Sequence, residues 1–400
     1  PLAVSNGPAS GRMAVGESIT NIAAADIGEL GKVRLSANWM AACGHPGEDV
    51  RLFDTVKAVG EELCPALGIA IPVGKDSLSM KTSWQDEKGA HEVVSPLSLI
   101  VTAFAPTRDI RTTLTPQLVT ESGSRLILLD LGQGRNRLGG SVLGQTYNRT
   151  GGEVPDLASP ALLKGLFDAV QSLISRKMLL AYHDRSDGGL LATLCEMAFA
   201  GHCGFHVNLD SLGEDTLGSL FNEELGAVLQ IRESDRERVL AVLGSHGLGS
   251  CAHEIGTVGK EQVLRFARAG NIEFEAGRVE LHRSWSQTTF HMQKLRDNPD
   301  CALEEFDALL DEENPGLHAD LTFDPADNPA APYIATGARP RIAILREQGV
   351  NSQMEMAAAF EHAGFDPVDV HMSDILEGRR ELDEFHGLAA CGGFSYGDVL

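Results

Sequence analysis

The sequence predicts a multidomain protein of mixed α/β and α+β architecture, and three observations carry that prediction. Apolar strand-like runs alternate with amphipathic helical stretches along most of the 400 residues. The 43 glycines gather at the ends of apolar runs, where α/β turns face a ligand. The order of elements from Pro340 onward suits a doubly wound parallel sheet, whereas the order within 118–290 departs from a simple parallel array. At roughly 100–200 residues per domain the length allows two to four domains.

Taken in order, Met13–Ala25 reads as a helix with an apolar stripe of Val15, Ile19, Ile22 and Ala23. Val33–Ser36 is a short strand, Asp54–Leu67 an amphipathic helix, Ile69–Val73 a strand, and Ser95–Ala105 a long buried strand. The turn-rich stretch Pro106–Ser124 closes a first region, 1–117. Region 118–290 opens on the near-continuous apolar strand Arg125–Leu131 and continues with a helix at Leu162–Arg176 and a strand at Met178–His183. The loop Asp184–Gly189 then leads into a helix at Leu190–Gly201, and the strand Gly226–Ile231 precedes a helix at Asp235–Gly244. Residues 291–338 form a linker, acidic and studded with proline, with one short helix at Ala302–Leu310. Region 339–400 has a strand at Pro340–Leu345, a helix at Ser352–Gly364 and strands at Pro367–His371 and Leu388–Cys391.

Composition excludes several classes. Lys plus Arg is 33 against 56 Asp plus Glu, a formal charge of −23. That argues against nucleic-acid and membrane-surface binding, which need basic fields. A phosphate ligand would need local donors and a divalent cation to overcome this background. No apolar run approaches the ~20 residues of a membrane span, and Pro1 opens no signal-peptide pattern. Seven scattered cysteines, an odd number, point to a reducing, cytoplasmic setting rather than a disulfide framework. Cys195, His202, Cys203 and His206 are the one group close enough to raise zinc, but buried thiols and a loop histidine account for them better. Pro1 is no initiator and Leu400 falls inside a structured-looking segment, so a piece of a longer chain is expected.

Four constellations can carry chemistry. Glu17 and Asn21, four apart on the first helix, put two oxygen donors on one face, a set suited to magnesium or equally to a solvated surface. His183-Asp184-Arg185-Ser186-Asp187-Gly188-Gly189 lies between a strand and a helix. There Asp184 can ligate a metal, Ser186 can donate to a phosphate, and the glycines admit an anion. The alternative is an ordinary turn capped by Ser186 or Asp187. Pro72-Val73-Gly74-Lys75-Asp76-Ser77-Leu78-Ser79-Met80 reads as a weak anion-handling loop that lacks the upstream glycine of a Walker A motif. In Cys391-Gly392-Gly393-Phe394-Ser395-Tyr396-Gly397-Asp398 the glycine pair suits presenting amides to an oxyanion. Cys391 ends an apolar strand outside any nucleophile elbow and is rejected as the nucleophile.

Together these segments resemble the large, single-chain bacterial phosphoribosylformylglycinamidine synthases (formylglycinamide ribonucleotide amidotransferases). Val15 to Asn21, Leu35 to Met40, Gly44-His45-Pro46-Gly47-Glu48-Asp49 and Pro72 to Met80 carry the likeness. So do His183 to Gly189, Phe221-Asn222-Glu223-Glu224-Leu225-Gly226, Arg346-Glu347-Gln348-Gly349-Val350-Asn351 and Gly392 to Asp398, in the family's order. The resemblance implies that 1–290 is the second half of a duplicated aminoimidazole-ribonucleotide-synthetase-like fold, and that 339–400 is the start of a class I glutamine amidotransferase. It implies an ATP-dependent ligase that converts formylglycinamide ribonucleotide, with glutamine as amide donor, in purine biosynthesis. By the same resemblance Glu17, Asn21 and Asp184 match magnesium ligands at an auxiliary ATP/ADP site and Ser186 a nucleotide contact. Gly392, Gly393 and Phe394 match a glutamine or oxyanion loop. The family's catalytic cysteine, histidine and glutamate would fall beyond Leu400, so no catalytic residue is expected here and the piece alone should be inactive. The parent is expected to be monomeric, with small-molecule substrates and no nucleic-acid or membrane partner. The alternatives are another member of the same ATP-binding superfamily, such as a selenophosphate or thiamine-phosphate enzyme, and a non-catalytic nucleotide-binding scaffold. The Arg346 to Gly349 and Gly392 to Phe394 segments argue against the first, which lacks an appended amidotransferase.

Overall fold

A computed structural model describes residues 1–394 apart from Ser122, Ala158, Glu313, Pro315 and His318. The chain forms two compact units, Pro1–Asn314 and Pro315–Leu400.

The first unit holds two large-strand systems. A three-stranded sheet is built from β1 (Arg34–Met40), β2 (Ala70–Ser77) and β5 (Ser98–Phe104), with β1 central, parallel to β2 and antiparallel to β5. Between them β3 (Lys81–Asp86) and β4 (Gly89–Val94) form a separate hairpin. The turn chemistry at Lys88-Gly89 marks that hairpin, but its strands lack the clean apolar alternation by which a sequence announces a strand. The helix Gly7–Ile22 begins six residues before the expected start, capped by Asn6, whose side chain accepts from Ala9 N–H. It buries Val15 and Ile19. The expected Asp54–Leu67 helix in fact starts at Glu48 and passes through a π-helical segment, Ala58–Leu63. The segment Gly74 to Ser77 is strand and not loop: Lys75 Nζ donates to Ser77 Oγ at 2.9 Å on an exposed edge. Gly74 is needed there because a Cβ would run into the carbonyl oxygen of Ala37.

The seven-stranded sheet of this unit runs in the order β12-β11-β8-β10-β6-β9-β7. Its strands are β6 (Ser124–Asp130), β7 (Leu179–Arg185), β8 (Gly204–Asn208), β9 (Gly226–Arg232), β10 (Ala252–Gly259), β11 (Val263–Arg268) and β12 (Asn271–Gly277). Neighbours pair antiparallel except β8 and β11. Strand β6 explains its own continuous apolar run. Ile127 and Leu129 enter a core with the helices Pro160–Ser175 and Arg236–Ser245, while Leu126 and Leu128 enter a second core with the helix Gly189–Gly201. A strand covered on both faces has no solvent side on which to place polar residues. A long helix, Arg278–Arg296, follows β12 and precedes the helix Pro299–Ala308. Its many polar residues hid it from periodicity.

Buried Gln171 fastens the turn after the first helix. Its Oε1 accepts from Ile27 N–H (2.8 Å) and Gly28 N–H (2.7 Å), and its Nε2 donates to the carbonyls of Ala23 and Ala25, both at 2.9 Å. All its hydrogen-bonding capacity is used, which fixes the Gly7–Ile22 helix against the seven-stranded layer.

In the second unit β13 (Arg341–Arg346) lies between β14 (Asp366–His371) and β15 (Gly387–Ala390), all parallel, with the helix Gln353–His362 crossing from β13 to β14. This is the predicted parallel α/β opening.

Candidate functional site

The Gly7–Ile22 helix and the end of β7 meet across a cleft of about 540 Å³. Glu17, Ser18, Asn21, His183, Asp184 and Ser186 line it, with residues 99–103 of β5 opposite. All four residues expected from sequence to handle metal and nucleotide therefore come together, although 163 positions separate Asn21 from Asp184. An adjoining recess of about 230 Å³ shares Glu17 and Ser186 and adds Arg185, Asp187 and Glu223.

The local sequence explains how the parts are held. Gly16 lies where the helix passes Leu225, and a Cβ there would overlap the leucine's Cδ1. Buried Tyr182 donates from its hydroxyl to Thr20 C=O at 2.5 Å, and Asn21 Nδ2 donates to Asp184 Oδ1 at 3.3 Å. The loop after β7 uses two consecutive left-handed glycines, Gly188 (φ 81°) and Gly189 (φ 66°). At Gly189 a Cβ would also press on the carbonyl oxygens of Leu220 and Asn222. Neither Ser186 nor Asp187 caps the following helix: its N-cap is Gly188, without a side-chain bond. That removes the capping explanation and leaves both side chains on the cleft and its recess.

Beneath the loop lies a buried ionic layer that sequence reasoning missed. Arg185 donates to Asp130 Oδ1 at 2.5 Å and to Glu224 C=O at 2.7 Å. Arg137 grips Glu224 with two bonds of 2.6 and 2.8 Å. Burial pushes the Asp130 carboxyl up, but Arg185 and the amides of Gly134 and Gly132 hold it below its ordinary value. Glu223 Oε1 accepts from the amides of Val142 (2.8 Å) and Gly188 (3.0 Å), which fixes the loop from the other side. The Asn222-Glu223-Glu224 run thus serves mostly to build the floor.

The cleft is strongly anionic. Burial first, and then the carboxylates of Asp187, Asp184 and Glu223, push the Glu17 carboxyl up to about 7. Burial also raises Glu223, against the two amides it accepts from. His183 is the counterweight: burial would lower it, but bonds to Asp184 and Glu196 raise it to about 9. Among the described residues, no group of three or more His, Cys, Asp or Glu side chains is placed to hold a metal ion by itself. Glu17, Asp184 and the Asn21 amide form a shorter oxygen-bearing set, and magnesium accepts one or two carboxylates when phosphates and water complete its octahedron. A divalent cation would also relieve the crowding that raises Glu17, so the donor set fits one bound together with a phosphate chain.

Elsewhere, Cys195 and Cys203 are buried thiols, raised by burial to about 12 and about 11, while His202 closes the Gly189–Gly201 helix in a left-handed conformation. In the second unit, Phe394 N–H donates to Gly349 C=O at 2.8 Å and Asn351 N–H to Gly392 C=O at 3.2 Å. A Cβ at Gly393 would strike the Gly349 carbonyl oxygen, so the glycine lets the two loops touch. The Phe394 amide is consequently committed within the protein. Cys391 is half-buried and lies one residue past β15, less enclosed than expected. Ser395, Tyr396, Gly397 and Asp398 lie outside the described residues.

Three protein-family models match in succession: the FGAR-AT PurM_N-like domain over 1–106, the C-terminal domain of AIR synthase related proteins over 121–268, and a CobB/CobQ-like glutamine amidotransferase domain over 339–400. Among solved structures, PurLQS from Thermotoga maritima aligns with TM-score 0.51 at 15% identity, covering 70% of this chain and 42% of that one. T. maritima PurL complexed with ATP gives 0.50 at 14%, with 69% and 41% covered. The complex of T. maritima PurL with FGAR gives 0.50 at 15%, with 70% and 44% covered. At these identities the likeness concerns the fold, and this chain spans less than half of those proteins. Fold and matched domains together define an AIR-synthase-type unit joined to a glutamine amidotransferase domain. The chain is an FGAM-synthase-like protein, of the phosphoribosylformylglycinamidine synthase kind.

Proposed function

We propose that this chain forms part of an ATP-dependent ligase of purine biosynthesis. Its reaction turns formylglycinamide ribonucleotide, glutamine, ATP and water into formylglycinamidine ribonucleotide, glutamate, ADP and phosphate. Residues 1–117 and 118–290 supply two synthetase subdomains, 291–338 the linker, and 339–400 the opening of the glutaminase. Within the chain, the cleft between the Gly7–Ile22 helix and β7 holds a magnesium–nucleotide: Glu17, Asn21 and Asp184 face the cation and Ser186 a phosphate oxygen.

The observation that carries this reading is the convergence of those four residues on one anionic cleft. Magnesium there neutralises the phosphate charge that a protein of net charge −23 would otherwise repel. Glu17 is raised into the range of a general base by burial first and by the neighbouring carboxylates second, and a bound cation offsets both by favouring the ionised form. Its role is that of a ligand, and the bound nucleotide is structural. In the second unit, Gly392, Gly393 and Phe394, braced on the Gly349–Asn351 loop, shape one side of the glutamine site.

Calorimetry with Mg-ADP on the 400-residue chain tests the site directly. Glu17→Ala and Asp184→Ala should each weaken binding by at least about tenfold, since each removes a charged contact. Unchanged affinity in both variants rules the assignment out.

A further inference from the structure

Asp184, at the head of the cleft, is tied to a part of the surface that no feature of the cleft itself explains. The ring of His183 sits between two carboxylates, Nδ1 at 3.3 Å from Asp184 Oδ1 and Nε2 at 2.9 Å from Glu196 Oε2. The other oxygen of Glu196 accepts from Trp285 Nε1–H at 3.3 Å. Trp285 is 59% exposed on the Arg278–Arg296 helix. Its position is set by Phe199, whose ring it meets edge-on at 6.2 Å and on which His282 stacks at 4.5 Å. The same helix continues into a parallel stack of Phe290 on Phe306 at 4.4 Å, which fastens it to the next helix. A tryptophan with most of its ring in water gains little by burial. Its one hydrogen bond goes to the carboxylate that also holds the cleft histidine.

We propose that Glu196 and Trp285 are positioning residues for the cleft: the chain Trp285–Glu196–His183–Asp184 fixes the Asp184 carboxylate, and occupation of the cleft is transmitted back to the Arg278–Arg296 helix. The inference rests on the magnesium–nucleotide reading of the cleft. Any ligand that draws Asp184 toward a cation changes its bond to His183, and His183 shares Glu196 with the indole. Linkage makes the effect reciprocal, so loosening the helix end of the chain must weaken the ligand by the factor with which the ligand tightens that end.

Fluorine NMR of the full chain carrying 5-fluorotryptophan tests this, because there are only three tryptophans, Trp39, Trp84 and Trp285. Trp285→Phe assigns the third resonance without disturbing a buried residue. Mg-ADP should shift the Trp285 resonance in the unmodified chain. Glu196→Ala should abolish that shift and weaken Mg-ADP by about 2- to 10-fold, the range for losing a hydrogen bond. Glu196→Gln, whose single amide oxygen can accept from the indole or from the imidazolium but not from both, should restore only part of either effect. A Trp285 resonance that stays fixed while calorimetry records Mg-ADP binding overturns the relay and leaves the nucleotide site standing. No calorimetric binding to the unmodified chain overturns the nucleotide reading and the relay with it.

Discussion

The two sheets that flank the cleft are made of similar residues and buried very differently. Strand β6 is apolar on both faces and enclosed from Leu126 to Asp130, and its sheet brings β7, with Asp184, to the cleft above the buried Arg185–Asp130 pair. Strand β5 of the three-stranded sheet is nearly as rich in Leu, Ile and Val, yet Ile100 is 54% and Phe104 46% exposed. Its inner residues Leu99, Val101 and Ala103 pack on the core. One sheet thus supplies an ionic wall backed by a closed interior, the other an aliphatic wall with an open back. The difference teaches that a continuous apolar strand states what a face can tolerate, and neighbours decide whether it is covered.

The largest test of that contrast is the buried pair. Arg185→Met leaves Asp130 enclosed without its cation, and urea unfolding should show a loss of about 3–5 kcal/mol. Replacing both, as Arg185→Met with Asp130→Leu, should recover much of it, because two apolar side chains leave no uncompensated charge. A loss below about 1 kcal/mol for the single variant would mean that solvent reaches the floor of the loop and that the interior is not closed.

Much of this was legible beforehand. The Glu17–Asn21 spacing, the His183 to Gly189 run and the glycines of both loops were readable because each is local, a matter of helix pitch or of a turn that admits no Cβ. The ionic floor was not. Arg185–Asp130 and Arg137–Glu224 join residues 55 and 87 positions apart, and charged residues in isolation read as surface. Strands β10, β11 and β12 escaped for a related reason: two of them carry alternating charges such as Arg265 and Glu275, which pair across the sheet edge. The Ser95–Ala105 strand was expected to be buried, but coverage is a tertiary property that no period of the sequence encodes.

The next largest effect separates the sheets directly. Leu129→Ala in β6 should cost about 2–5 kcal/mol through its cavity, whereas Ile100→Ala in β5 should cost less than about 1 kcal/mol. Equal losses in chemical denaturation would break the comparison, because they would mean that the open back of β5 is covered. His183 sharpens the ionic side. Its folded-state value near 9 lies above the ordinary 6.5, so its contribution is complete below about 6.5 and disappears as pH rises through 9. His183→Gln should therefore lower stability by about 3 kcal/mol at pH 6, and the gap to the unmodified chain should close by pH 10. A gap independent of pH would mean that packing, and not charge, is what His183 supplies.

The smallest effect is the most particular to the cleft. Glu17 titrates near 7 in the folded chain against 4.5 for an unperturbed glutamate, so between those values the folded state binds the proton that the unfolded state has released. Stability must then fall as pH rises through that window, the reverse of a salt-bridged carboxylate. Glu17→Gln cannot lose a proton, so relative to it the unmodified chain should grow less stable from pH 4.5 to 7.5. Glu17 stands at the mouth of the cleft within reach of solvent, which limits the change to about 1 kcal/mol or less. Paired unfolding curves of the two proteins across this range, in chelator, measure it. Repeating them with Mg-ADP should cancel the trend, since a cation on the carboxylates of Glu17 and Asp184 holds Glu17 ionised in the folded state. A trend that survives saturating Mg-ADP would place the cation away from Glu17 and leave Asp184 as the carboxylate that binds it.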